Sequence, residues 1–147
     1  MHTISSYSLR QARGPNRELL RDTLPLGIVL KGSCIEAQFE LESGDVLLWL
    51  SDDSPYDEGL HIYLLGGGVR ILDVIEAGAD FAAGLLRIHA SGAKWVRFEF
   101  FTNDVEYRLD VFDRPVFRRR LPSGWRYGKW RWRHRLVVTE VDAGGTQ

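Results

Sequence analysis

The carboxy-terminal part of this chain carries the residue types best suited to binding another molecule. Between Arg114 and Arg135 it has nine Arg or Lys residues, interleaved with aromatic rings, and no acidic residue. Guanidinium groups hold phosphates and carboxylates through paired hydrogen bonds, and aromatic faces stack on unpaired bases. The sequence therefore predicts a contact with a partner or a nucleic acid, made by Arg118, Arg119, Arg120, Trp125, Arg126, Lys129, Arg131 and Arg133.

The same segment has a structural interpretation. A last strand predicted from about Lys129 to Val141 would place alternate residues, Trp130, Trp132, His134 and Leu136, on one face and the intervening arginines on the other. The tryptophans would then belong to the core and the arginines to a solvated face. The net charge of -1 also differs from that of a typical nucleic-acid binder. Binding of single-stranded nucleic acid is therefore an alternative hypothesis and not the favoured one.

An acidic loop is the second segment with chemical potential. Carboxylates in a loop suit a hard cation, because such an ion prefers several oxygen ligands. The loop lacks the full spacing of a calcium-binding loop, and Gly59 beside a strand argues against the helix that a Glu-x-x-His metal pair needs. The hypothesis is a small-ligand or cation loop, and the alternative is a solvated turn. Its candidate residues are Asp52, Asp53, Asp57, Glu58 and His61.

Other kinds of chemistry find little support. The four histidines are far apart and the only cysteine is Cys34, so a structural zinc site is not expected. There is no G-x-S-x-G nucleophile elbow, and the triple glycine at 66–68 lacks the Lys-Ser/Thr of a phosphate-binding loop. The sequence predicts no metal and no cofactor, and it favours a protein that is not an enzyme.

Charge is segregated along the chain. From Glu36 to Asp80 there are eleven acidic residues and one basic residue. Such a separation creates a local field that steers charged partners. The favoured hypothesis is a non-catalytic interaction protein with acidic and basic surfaces, which recognises a protein partner or a second copy in a homodimer. The two alternatives are single-stranded nucleic-acid binding and a small enzyme or ligand-binding sandwich that uses the acidic loop.

Composition sets the broad class and the expected compartment. Apolar residues make up 44% of the chain and charged residues 27%, as in ordinary globular domains. No apolar run approaches the roughly 20 residues of a membrane-spanning helix. The amino terminus has no apolar stretch of a secretory signal, and Cys34 has no partner for an internal disulfide. We expect a cytoplasmic location without membrane contact.

The elements that position these residues are predicted to be strands. Residues 35–41 alternate, with Ile35, Ala37, Phe39 and Leu41 on one face. The continuous apolar run 46–50 predicts a central strand covered on both faces. Residues 95–101 and 105–112 predict a β-hairpin with alternate side chains inward and charges outward.

About nine short strands at near-regular spacing predict a mainly β, single-domain antiparallel sandwich or barrel with at most one or two short helices. Residues 1–24 are predicted to form a polar amino-terminal arm, with a short helix from Asn16 to Asp22 as its one candidate element. Residues 25–142 form the sandwich or barrel, and residues 143–147 a frayed tail. Residues 77–85 fit either a helix or a turn that leads into a strand at Leu85–Ala90.

Overall fold

The computed structural model describes residues 1–14, 16–52, 59–78, 84–101 and 104–141, and these contain strands but no helix. None of the described segments is a helix long and apolar enough to cross a membrane. The strands are β1 (His2–Thr3), β2 (Tyr7–Gln11), β3 (Asn16–Arg21), β4 (Leu24–Lys31), β5 (Cys34–Glu40), β6 (Val46–Ser51), β7 (Leu60–Gly66), β8 (Arg70–Ala77), β9 (Gly84–Ser91), β10 (Trp95–Phe101), β11 (Glu106–Phe117), β12 (Trp125–Tyr127) and β13 (Arg133–Val141).

These strands form three antiparallel sheets. The central sheet has six strands in the order β1-β5-β6-β7-β8-β12, and the others are β13-β11-β10-β9 and β2-β3-β4. One face of the six-stranded sheet shares a core with the four-stranded sheet, and its other face shares a second core with the three-stranded sheet. The predicted mainly β, sandwich-like domain is confirmed. Its layers are three, and the described strands close no barrel.

Strand β6 explains why the middle layer is apolar on both faces. Leu47 and Trp49 point into the core shared with the four-stranded sheet. Val46, Leu48 and Leu50 point into the core shared with the three-stranded sheet. A strand covered on both faces has no solvated side to mark with polar residues, so its sequence shows no alternation. The predicted central position of this run is confirmed.

The β10–β11 hairpin forms as the alternation predicts. Val96 pairs with Leu109 and Phe98 with Tyr107, and all four side chains are buried. Outward charges meet across the strands, with the Nε of Arg97 3.8 Å from a carboxylate oxygen of Glu106. The aromatic rings carry much of the core, since Phe98 packs edge-on against Trp49 at a centroid distance of 4.9 Å.

The amino-terminal segment differs from its prediction. Residues 16–21, which lie within the predicted short helix, form strand β3, and this strand pairs with β2 on one side and β4 on the other. Leu19 and Leu30 are fully buried, and they cover the outer face of the six-stranded sheet together with Tyr7. The helix signal was a local capping preference at Asn16. Long-range pairing and burial override it because both edges of the strand are hydrogen-bonded.

Strand β5 contains a bulge that the alternation did not reveal. Ile35 pairs with Leu50, whereas Ala37 pairs with Trp49, so one residue is skipped between them. Ile35 therefore packs in the core shared with the three-stranded sheet, and Ala37 packs in the core shared with the four-stranded sheet. The prediction that Ile35 shares a face with Phe39 is wrong, because a bulge reverses the facing of every residue before it.

Asp73 ties β13 to β8 and so fixes the direction of the carboxy-terminal segment. Its carboxylate is almost fully buried and accepts hydrogen bonds from the backbone amides of Val74, Arg135 and Leu136 at 2.9, 2.8 and 3.0 Å. Its other contact is with Nδ1 of His134 at 3.0 Å. A buried carboxylate with this many donors joins two sheets at one point.

Candidate functional site

An exposed cluster of rings and arginines lies where the end of β11 meets the start of β13. Phe117 pairs with Arg133, and the amide of Arg118 donates to the carbonyl of Trp132 at 2.7 Å. Phe117, Trp130 and Trp132 are 70%, 66% and 69% exposed. We call these five residues the basic–aromatic surface: Phe117, Arg118, Trp130, Trp132 and Arg133.

Trp130 and Trp132 do not lie on the core face that the strand alternation predicts for them. Strand β13 begins at Arg133, so Trp130 and Trp132 precede it. His134 and Leu136, which the same pattern placed beside them, are buried as expected. The core interpretation of the two tryptophans is therefore wrong. The alternation ends at the strand boundary, because only residues within the ladder have their facing fixed.

Trp125 belongs to the core and not to the surface. Its side chain is 7% exposed, and it packs edge-on against Phe98 and Tyr107 at centroid distances of 5.6 and 5.3 Å. The prediction placed it among the partner-contacting residues. Its ring faces are covered by other rings, so they are not open to a partner.

Three arginines of the carboxy-terminal segment stack on aromatic rings. The guanidinium carbons of Arg118, Arg119 and Arg133 lie over the rings of Tyr127, Phe112 and Phe117 at 5.2, 5.3 and 5.0 Å. Stacking orders a guanidinium by its face and leaves its N–H edge free to donate. These arginines are therefore pre-organised donors for an anionic group.

Other basic residues of the segment are bound within the molecule. Arg135 contacts Asp45 at 3.3 Å, and Arg126 lies 4.0 Å from Glu76. Arg131 donates to the carbonyl of Leu72 at 3.1 Å. Among the described residues from Arg114 to Arg135, seven exposed basic residues form no ion pair with a described carboxylate: Arg114, Arg118, Arg119, Arg120, Lys129, Arg131 and Arg133.

The acidic loop is only partly described, and two of its candidate residues converge. Asp53, Asp57 and Glu58 lie outside the described residues. The Nε2 of His61 lies 3.1 Å from both carboxylate oxygens of Asp52, and its Nδ1 lies 2.7 Å from Glu76. These three side chains form what we call the histidine–carboxylate cluster.

The sheet register builds this cluster. His61 on β7 is directly opposite Glu76 on β8, and Glu76 is opposite Arg126 on β12. Asp52 follows β6, where its amide donates to the carbonyl of Gly59 at 3.0 Å. A Cβ at Gly59 would lie 2.6 Å from a carboxylate oxygen of Asp52, so only glycine leaves room for this carboxylate.

The electrostatics of the cluster keep the imidazole charged. Burial alone would lower the pKa of His61, but hydrogen bonding and the charges of Asp52 and Glu76 outweigh it and raise the pKa to about 9. The contact with His61 lowers the pKa of Glu76, against the opposing effect of its burial. At neutral pH the cluster is an imidazolium held between two carboxylates, which leaves no neutral imidazole to act as a base.

The cluster offers no metal centre. Among residues 1–14, 16–52, 59–78, 84–101 and 104–141, no three His, Cys, Asp or Glu side chains are arranged to hold a metal ion. The cluster's chemistry is that of a buried ion pair network, which positions β6, β7 and β8 relative to one another.

Two important residues escaped the sequence analysis. Glu76 and Asp73 are buried charges, and each lies within the apolar run of β8. A charged residue inside a strand that is otherwise buried was the available signal, since such residues are almost always paired. Their partners, His61 and His134, are distant in sequence, so the pairing could not be read from spacing.

Comparisons with protein family models, with curated proteins and with solved structures found no match to this chain.

Proposed function

We propose that this protein is a non-catalytic binding protein that recognises an acidic protein partner through the basic–aromatic surface. The observation that carries the proposal is the exposure of three large rings, each about two-thirds open to solvent, beside arginines that pair with none of the described carboxylates. Contiguous exposed apolar groups rimmed by charge are typical of interaction sites. Tryptophan and arginine are also the residues most enriched where interface energy is concentrated.

The ring geometry favours a protein partner over stacked bases. Trp130 and Trp132 pack edge to face, with centroids 4.8 Å apart and planes at 74°. Successive bases stack best on a row of open, roughly parallel ring faces. An edge-to-face pair instead makes a compact knob, which suits a pocket on a folded partner.

Single-stranded nucleic-acid binding is the second candidate function. The observation that favours it is the stacking of Arg118 and Arg133 on rings, which leaves their N–H edges free for phosphates. This candidate predicts a binding constant that falls steeply with salt, because each phosphate contact releases counterions.

The proposal also includes self-association and a cytoplasmic location. A second copy is one partner of suitable chemistry, because the chain also carries an acidic half. A cytoplasmic setting fits the exposed free thiol of Cys34. Fractionation of the tagged protein from its native cell tests this setting, and recovery outside the cytoplasm would contradict it.

The test compares two anionic probes of equal charge at low salt. Fluorescence anisotropy would follow binding of a labelled glutamate–tyrosine copolymer and of a labelled oligothymidylate. We expect the acidic copolymer to bind. The triple variant Arg118→Gln/Arg119→Gln/Arg133→Gln, which removes the three ring-stacked guanidinium groups, should bind it at least about tenfold more weakly. Sedimentation velocity of the protein alone at low and high salt tests the second copy as the partner.

The matched control removes the same charge elsewhere. The variant Arg13→Gln/Arg70→Gln/Arg87→Gln loses three exposed arginines outside the basic–aromatic surface and should keep the affinity within about threefold after the general salt effect. Equal losses in both triple variants would show that only net charge matters and would overturn the proposal. Preferential binding of the oligothymidylate would establish the second candidate in its place.

A further inference from the structure

An open cleft lies beside the histidine–carboxylate cluster, between the three-stranded and the six-stranded sheets. Its volume is about 350 Å³, which falls within the range of small-molecule sites. Its apolar wall is formed by Val29, Ile71 and Val74. This cleft shares no residue with the basic–aromatic surface, so it is a separate feature of the molecule.

The sheet arrangement creates the cleft. The three-stranded sheet covers β6 and part of β7, and the face of β8 next to β12 is left open. Tyr63 closes one side, because its hydroxyl accepts a hydrogen bond from the amide of Lys31 at 3.0 Å. Gly128 closes the other side, where its amide donates to the carbonyl of Val74 at 3.0 Å.

Gly128 also sets how deep the cleft is. A Cβ at this position would lie 2.5 Å from a methyl carbon of Val74 and 3.0 Å from a carboxylate oxygen of Glu76. Any side chain here would therefore enter the space between the two. The absence of a side chain leaves the apolar wall and the base of the cleft accessible.

The polar groups around the cleft favour an anion. Lys31 and Lys129 both line the cleft and are exposed, so they give it two positively charged side chains. The hydroxyl of Tyr63 accepts a hydrogen bond from the backbone amide of Lys31, so the hydroxyl hydrogen can be donated into the cleft. Burial raises the pKa of Tyr63 to about 12, which keeps that hydrogen in place. Among the described lining residues Glu76 has the one carboxylate, and its charge is already offset by His61 and Arg126.

We propose that this cleft is a binding site for a small organic carboxylate with an apolar body. The carboxylate would lie between the ammonium groups of Lys31 and Lys129, within reach of the Tyr63 hydroxyl. The apolar body would contact Val29, Ile71 and Val74. Few placed polar groups over an apolar wall are the usual composition of such sites.

The experiment titrates the full chain with octanoate and follows its backbone amides by two-dimensional NMR. We expect saturable shifts at Val29, Lys31 and Val74, together with weaker binding of octanol and of octylamine. The variant Lys31→Met/Lys129→Met should lose at least about tenfold in affinity for octanoate, because two charge-assisted contacts are removed. The control is Lys94→Met, whose ammonium contacts Asp113 and which does not line the cleft.

Several results would overturn the site. These are no saturable shift on the wild-type protein, shifts that map outside the cleft, or an unchanged affinity in the double lysine variant. Tighter binding of octylamine than of octanoate would show that Glu76 makes the cleft a cation site. The wild-type shift map decides even where a variant fails to fold. The result is independent of the basic–aromatic surface, whose residues none of these variants alters.

Discussion

Raising the pH should lower the free energy of unfolding by a defined amount as His61 loses its proton. The pKa of this histidine is displaced from 6.5 to about 9 in the folded protein, because Asp52 and Glu76 hold the ring charged against the cost of burial. At about 1.4 kcal/mol per pH unit, this displacement corresponds to about 3 kcal/mol of unfolding free energy. That is a large fraction of the roughly 5–15 kcal/mol that stabilises a typical domain.

The sign follows from the direction of the displacement. Because the folded state binds the proton more tightly, the contribution is complete below about pH 6.5 and is lost as pH rises through about 9. The lowered pKa of Glu76 acts at the other end, where stability falls as pH drops below the ordinary glutamate value. The cluster should therefore be most stabilising between these two limits.

Urea unfolding across this pH range gives the free energies, and an NMR titration of the His61 ring gives the pKa itself. The variant His61→Gln should lose about 3 kcal/mol near pH 6 and should remove most of the loss between pH 6.5 and 9. His89→Gln is the control, because His89 pairs with Glu99 at the surface and such pairs contribute about 1 kcal/mol or less. A His61 ring that titrates near 6.5, or equal pH slopes in the wild type and His61→Gln, would refute the reasoning.

Asp73→Ala should lower the free energy of unfolding in urea by about 3–5 kcal/mol, because it leaves without an acceptor the buried backbone amides that now donate to the carboxylate. A loss under about 1 kcal/mol would contradict that role. Gly59→Ala should lower stability by about 1–3 kcal/mol and displace Asp52, seen as a lower NMR pKa for His61; an unchanged pKa would argue against the close approach. Trp130→Ala/Trp132→Ala should keep the unfolding free energy within about 0.5 kcal/mol per site, because both rings are exposed; a large loss of stability would mean that they are structural.

The sequence was most informative where neighbours along the chain are also neighbours in space. The β10–β11 hairpin follows from alternation and a short turn, and its inward residues, such as Phe98 and Tyr107, are buried as predicted. The unbroken apolar run of β6 likewise predicts burial on both faces. In both cases the hydrophobic period alone determines the facing.

Prediction failed where distant pairing decides the structure. Asn16 has the residue type of a helix cap, yet residues 16–21 form a strand because they pair with both β2 and β4. The bulge after Ile35 depends on its register with β6. Trp130 and Trp132 lie outside the strand that their alternation suggested, because β13 starts only at Arg133. A one-residue change in register or boundary reverses which side chains reach the core.

The candidate sites show the same division. Residue type alone singled out the basic segment and placed Asp52 and His61 in one candidate loop. Residue type could not identify Glu76, because Glu76 joins Asp52 and His61 only through the pairing of β7 with β8, which places His61 opposite Glu76. Nor could composition separate the exposed Trp130 from the buried Trp125, since that difference arises from the strand to which each belongs.

Binding of the acidic copolymer by Trp130→Ala/Trp132→Ala at low salt tests the basic–aromatic surface most directly. This variant keeps every charge, and its control, Leu24→Ala/Leu85→Ala, removes two apolar side chains of similar exposure elsewhere. We predict a loss of about tenfold or more in the tryptophan variant and no more than about twofold in the control. Equal affinities for the two variants and the wild type would contradict the claim that these rings form a recognition surface.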